Sequence, residues 1–128
     1  MKSIIIGACA FSLAVFLAGC GPSQEELRTI GISEYQKGHH QLAEGYFQRV
    51  LSTEPSDALC LFYMGRMCQT QKQTVKAYQY YQAAIDADPG FAYAASTRRY
   101  MKEVEQELGP ELTETLRTNP KFAPHPVP

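Results

Sequence analysis

The chain has 128 residues, enough for one small domain, with 45% hydrophobic residues and no Trp. Its 12 Lys and Arg stand against 13 Asp and Glu, a formal net charge of -1. The basic residues are scattered, with no run longer than Arg98-Arg99, and such a balance offers no nucleic-acid surface.

Met1-Lys2-Ser3 gives a short positive start, Ile4 to Leu17 an almost unbroken apolar run, and Ala18-Gly19 a pair of small residues. That is the order of a secretory signal peptide over residues 1–19. The run is short for a membrane span, which takes about 20 apolar residues. Gly21-Pro22 would also break a helix directly after it. Leu17-Ala18-Gly19-Cys20 resembles the lipobox of bacterial lipoproteins. The resemblance implies a diacylglyceryl group on the Cys20 thiol, cleavage before Cys20, an acylated new amino group, and a short linker over residues 20–23. Two or more acyl chains make a stable anchor where one holds only marginally. Gly21 stands where an Asp would resemble an inner-membrane retention signal, so the outer membrane facing the periplasm is expected for a Gram-negative source. For any other source the outer face of the cytoplasmic membrane is expected. Loss of the leader removes Lys2, leaving 11 basic against 13 acidic residues.

Beyond the linker the chain repeats itself at a period of 34: Gly31 recurs as Gly65, Ala43 as Ala77, Phe47 as Tyr81 and Pro55 as Pro89. Leu27 and Leu61, Ile30 and Met64, Val50 and Ala84, and Leu51 and Ile85 follow the same offset. Helices are expected over 24–37 and 41–52, hinged at Gly38, and over 57–70 and 74–87. A small residue where two helices cross lets their backbones approach, a larger one packs beside it, and Pro denies the second helix another turn. Ser56-Asp57 and Asp88-Pro89-Gly90 supply cap and turn chemistry between the units. This spacing and residue order resemble the tetratricopeptide repeat. The resemblance implies an all-α solenoid of helical hairpins, with repeats at 24–57 and 58–91. The chain departs from that pattern in carrying Leu27 and Leu61 where Trp is frequent, Cys68 where an aromatic is usual, and Glu34 at that slot in the first repeat.

A capping helix is expected over 92–109, its spacing starting at Phe91, with Arg98-Arg99 where the packing residue of the earlier units should be. Glu103, Glu105, Gln106 and Glu107 make its far end polar, as a solvated end of a helical stack requires. Gly109-Pro110 stops it. Residues 110–128 are expected to hold a short helix folded back through Leu112 and Leu116, then an extended tail with Pro120, Pro124, Pro126 and Pro128. Two repeats fall below the three usually needed for a stable stack, so the third helix, the anchor or a partner must compensate.

Little in the chain suggests catalysis. His39-His40 falls at a turn and His125 in the Pro-rich tail, and no Gly-rich phosphate loop, Ser-centred elbow or HExxH is present. An enzyme is not expected, nor a metal or a cofactor apart from the lipid. Cys9 lies in the leader. Cys60 and Cys68, eight residues apart on one expected helix, would sit ~12 Å apart along its axis, too far to bridge each other. They read as buried small hydrophobes, with a bridge to another chain or a thiol function left open.

The tetratricopeptide resemblance also implies that the first helix of each unit lines a concave, partner-binding face. Carried over, its positions are Glu25, Arg28, Ile32, Tyr35 and Gln36, then Leu59, Phe62, Arg66, Gln69 and Thr70, then Tyr93, Ser96, Tyr100 and Glu103. Half-exposed Ile32, Tyr35, Leu59, Phe62, Tyr93 and Tyr100 would form an apolar strip, with Arg28 and Arg66 as anchors for a peptide carboxylate. Aromatics and Arg dominate interface energy. The expectation is a non-enzymatic adaptor that grips a protein partner and helps assemble an envelope machine, similar in plan to lipoproteins that pilot pilus or secretion subunits. The alternative is a scaffold or regulator recruiting cell-wall enzymes.

Overall fold

The computed structural model describes residues 21–119, which form six α-helices and no strand. Cys20 and the expected leader over residues 1–19, and the residues from Pro120 onward, lie outside the described residues. The helices are α1 (Gln24–Gln36), α2 (His40–Thr53), α3 (Ala58–Thr70), α4 (Thr74–Ala87), α5 (Ala94–Leu108) and α6 (Pro110–Thr118). None of them is long and apolar enough to cross a membrane.

Local chemistry sets the ends. Ser23 starts α1 with a capping box: its hydroxyl accepts the Glu26 amide at 3.2 Å, and the Glu26 carboxylate accepts the Ser23 amide at 2.7 Å. Asp57 caps α3 by accepting the Cys60 amide at 2.9 Å. Between α1 and α2 the chain reverses on Gly38 at φ +84°, and between α3 and α4 on Lys72 at φ +59°. The amides of Gly38 and His39 bond back to Tyr35 and Glu34, and those of Lys72 and Gln73 to Gln69 and Cys68. Both turns therefore close by the same pair of 5→2 and 6→1 bonds, 34 residues apart.

Helix α1 packs on α2, α3 on α4 and α4 on α5, with lighter contacts joining α2 to α3 and α5 to α6. Within each hairpin a glycine receives a ring. A Cβ on Gly31 would lie 2.7 Å from the Phe47 ring, and one on Gly65 would lie 2.6 Å from the Tyr81 ring. Ala43, Phe47, Val50, Ala77, Tyr81 and Ala84 are all fully buried around these crossings. Pro55 and Pro89 lie exposed just past the ends of α2 and α4.

Two expectations need correction. The third first-helix starts at Ala94, not Phe91, because Asp88 accepts the Gly90 amide at 3.0 Å and holds a turn there. Phe91 and Tyr93 are thereby drawn onto Phe62 of α3, with ring centroids at 6.3 and 5.2 Å. Helix α6 does fold against α5, yet through Thr113 and Leu116; Leu112 is 40% exposed. It meets α5 near Lys102, Glu105 and Gln106, and that crossing turns an i,i+3 pair inward in place of Leu112.

Candidate partner-binding surface

Helices α1, α3 and α5 run parallel. Tyr35 meets Tyr63, Arg66 meets Tyr100, and Gln69 meets Glu103. Because Cβ vectors repeat every three to four residues along a helix, one face of each contributes to a common surface. Rings run across it in unbroken contact. Tyr35 packs edge-on to Tyr63 at 5.0 Å, and Tyr63 to Phe62 at 5.2 Å. Phe62 stacks on Tyr93 at 5.2 Å and 7°, and lies 6.2 Å from Tyr100. Offset and edge-on pairs at these separations are each worth about 0.5–1.5 kcal/mol beyond area burial, so the strip is preformed and stiff.

The expected positions fall on this surface unequally. Ile32, Tyr35, Leu59, Arg66 and Tyr100 are half-buried, and Tyr93 is 41% exposed. Phe62, expected half-exposed, is only 6% exposed because the Tyr93 ring covers it. It floors the strip; Tyr93 is what a partner would touch. Tyr63 belongs to the same cluster although it was not among the expected positions. Its ring also stacks on Phe47 at 5.3 Å, so it ties the strip to the core of the first hairpin. Burial, with the neighbouring Tyr93 hydroxyl, pushes the Tyr63 phenol up to about 12.

Arg28 departs most from expectation. It is not a free anchor: its Nε donates to Asp57 at 2.9 Å, one terminal nitrogen also reaches Asp57 and lies 3.6 Å from Glu54, and the other terminal nitrogen reaches Glu25. The Asp57 carboxylate, chiefly by hydrogen bonding, holds the Arg28 guanidinium above its ordinary value. Three acidic groups already surround it.

Arg66 is differently placed. Its guanidinium lies 3.9 Å above the Tyr100 ring and donates to Gln69 Oε1 at 3.1 Å. That same oxygen accepts the Tyr81 hydroxyl at 2.7 Å. Arg66 has no salt bridge among the described residues. Thr70 bonds back to the Arg66 carbonyl and Gln36 points to solvent, so neither adds to the strip. Ser96 is half-buried on α5.

Other polar groups resolve into local roles. Glu34 accepts from Lys37 at 2.8 Å and pairs with His39 at 2.6 Å, closing the first turn. Lys37 first, then His39, hold its carboxyl below the usual carboxylate range. The His40 ring packs edge-on to Tyr35 at 5.2 Å. Cys60 and Cys68 are free thiols in the core, both pushed upward by burial, Cys68 to about 11. Among the described residues no three His, Cys, Asp or Glu side chains cluster to hold a metal. Two open hollows, one at Gly21, Pro22 and Ile30 and one between α5 and α6, lie away from the strip. The strip itself is a surface suited to a chain segment more than to an enclosed small molecule. Compared with family models, curated proteins and solved structures, the chain matches none.

Proposed function

We propose that this chain is a lipid-anchored adaptor of the tetratricopeptide type, held at the bacterial envelope through Cys20 and gripping an extended segment of a protein partner. One observation carries the reading: the unbroken run of rings from Tyr35 on α1 through Tyr63 and Phe62 on α3 to Tyr93 and Tyr100 beside and on α5. A surface already stiffened by its own ring contacts orders a partner without first ordering itself, which saves about 0.5–1.5 kcal/mol per side chain. The partner is a subunit of an envelope machine such as a pilus or secretion system, which the adaptor helps assemble.

The anchor and the module bear on one another. Only Gly21-Pro22-Ser23 separates Cys20 from α1, about 10 Å when fully extended. With the capping box fixing the start of α1, the strip is held close to the lipid surface. The test is cross-linking in intact envelopes followed by capture of the full chain. Changing Tyr93 and Tyr100 together to Ala should remove specific partners while Cys20 remains lipidated. An unchanged partner list would sink the groove, and failure of Cys20 to incorporate labelled lipid would sink the anchor. Phe62 is a poor choice for this test, being too buried to change without damage to the fold.

A further inference from the structure

Arg99 stands 34 residues beyond Gly65, at the place where both earlier units carry the glycine that admits a ring. No ring enters there. Instead the exposed Arg99 turns toward its neighbour Tyr100, with its guanidinium 5.1 Å from the ring centroid and one nitrogen 3.4 Å from the hydroxyl. Arg66 approaches the same ring from α3 at 3.9 Å. The two guanidinium groups can be no farther apart than those distances combined, within the ~10 Å Debye length at 0.1 M salt. Neither has a salt bridge among the described residues, while Arg28 at the other end of the strip meets three carboxylates. Two like charges gathered on one tyrosine, one of them half-buried, favour an anion within reach of both.

From this geometry we infer that Arg66, Tyr100 and Arg99 form a carboxylate-binding locus at the α5 end of the strip. Its occupant is an acidic segment of the partner that sets an apolar or aromatic side chain on Tyr93. The inference rests on the groove reading and adds the chemistry of the ligand. Planar guanidinium forks match carboxylate geometry with paired N–H donors, which a lysine does not reproduce. The chain's own residues 120–128 contain Lys121 and His125 but no Asp or Glu, so their side chains carry the wrong charge for this site.

The test uses the full chain in detergent and short fluorescent peptides alternating Tyr and Glu, beside the same peptides with Gln for Glu, each with a free or an amidated C-terminus. Glu peptides should bind at least about tenfold tighter than Gln peptides, as expected for hydrogen bonds to a charged group, and should weaken as salt rises. The double variant Arg66→Gln, Arg99→Gln should erase the preference, and Arg66→Lys should retain only part of it. Circular dichroism checks that each variant folds, and exposed Arg99→Gln alone keeps the test open should Arg66→Gln fail to fold. A loss on amidation assigns the locus to a terminal carboxylate, and indifference to amidation assigns it to side chains. Binding that is indifferent both to Gln for Glu and to amidation overturns the locus and leaves the groove standing. Binding of no peptide at all overturns both.

Discussion

Asp57 divides its carboxylate between two helices: one oxygen accepts the Cys60 amide at 2.9 Å and caps α3, while the other receives the Arg28 guanidinium from α1, with Nε at 2.9 Å. The side chain is 6% exposed and Arg28 20%, so the pair is shielded yet not sealed. Asp57→Ala should lose both roles and cost about 2–3 kcal/mol, below the 3–5 kcal/mol of a fully orphaned charge because Arg28 keeps Glu25 and Glu54. Asp57→Asn keeps a cap and should cost about 1 kcal/mol. Urea unfolding followed by circular dichroism separates them. Arg28→Gln should lower stability and leave capture of acidic peptides within about twofold; a larger binding loss would return Arg28 to the ligand site.

Three helical glycines should respond to the same substitution with opposite signs. A Cβ at Gly31 or Gly65 meets a ring at 2.7 or 2.6 Å, whereas at Gly45 on α2 it meets nothing within 4 Å. Alanine gains about 1 kcal/mol of helix propensity at each, and overpacking costs about 1–3 kcal/mol at the crowded pair. Gly45→Ala should therefore stabilise by about 0.5–1 kcal/mol, and Gly31→Ala and Gly65→Ala should destabilise by up to about 2 kcal/mol. Phe47→Leu combined with Gly31→Ala, or Tyr81→Leu with Gly65→Ala, should lose less than the separate changes added together. Additive losses would mean that the rings do not set the cost.

The period of 34 made these crossings legible, because each depends on a residue type at a fixed position within one hairpin. Most helix limits were equally close at hand, since Gly38, Asp57 and Gly109-Pro110 act on their nearest neighbours, the start of α5 being the exception. The Ser23-Glu26 box was not among the expected caps, although its Ser-x-x-Glu order stands in the sequence. What could not be read lay between hairpins. Arg28 and Asp57 are 29 residues apart, and nothing in either neighbourhood announces the pair. Phe62 looks like any strip position until the turn at Asp88 brings Tyr93 back over it. Arg99 reads as a missing packing residue, and only Arg66 arriving from α3 on the same ring makes it part of a charged locus.

Lys72 occupies in the second hairpin the left-handed turn that Gly38 occupies in the first, at φ +59° against +84°. A residue with a Cβ holds that conformation at a cost of roughly 1–2 kcal/mol. Glycine would remove the strain but also loosen the unfolded chain by about 0.4–1 kcal/mol. Lys72→Gly should thus stabilise by only about 0.5 kcal/mol, and Gly38→Ala should destabilise by about 1 kcal/mol. A shift of the urea midpoint reads both, and an unchanged midpoint for Gly38→Ala would show that the turn can be rebuilt without a left-handed residue.

Alkali should unfold this protein through its core. Burial pushes Cys68 up to about 11 and Tyr63 to about 12, and raises Cys60, Tyr80 and Tyr81 as well. The native state holds these protons more tightly than the unfolded chain, whose thiols and phenols titrate near 8.5 and 10. The fold therefore has their full contribution below pH ~8.5 and loses it as pH rises from there through the folded values, by at most about 1.4 kcal/mol per pH unit for each group. Stability measured by urea unfolding should be level around pH 7–8 and fall steadily above about pH 9. At pH 8 iodoacetamide should spare Cys60 and Cys68 in the folded chain and label both in urea, because the thiolate is the reactive form and neither thiol is exposed. Rapid labelling of the native protein at that pH, or stability that stays flat into alkali, would show that the core admits solvent, and would revive a chemical role for the thiols.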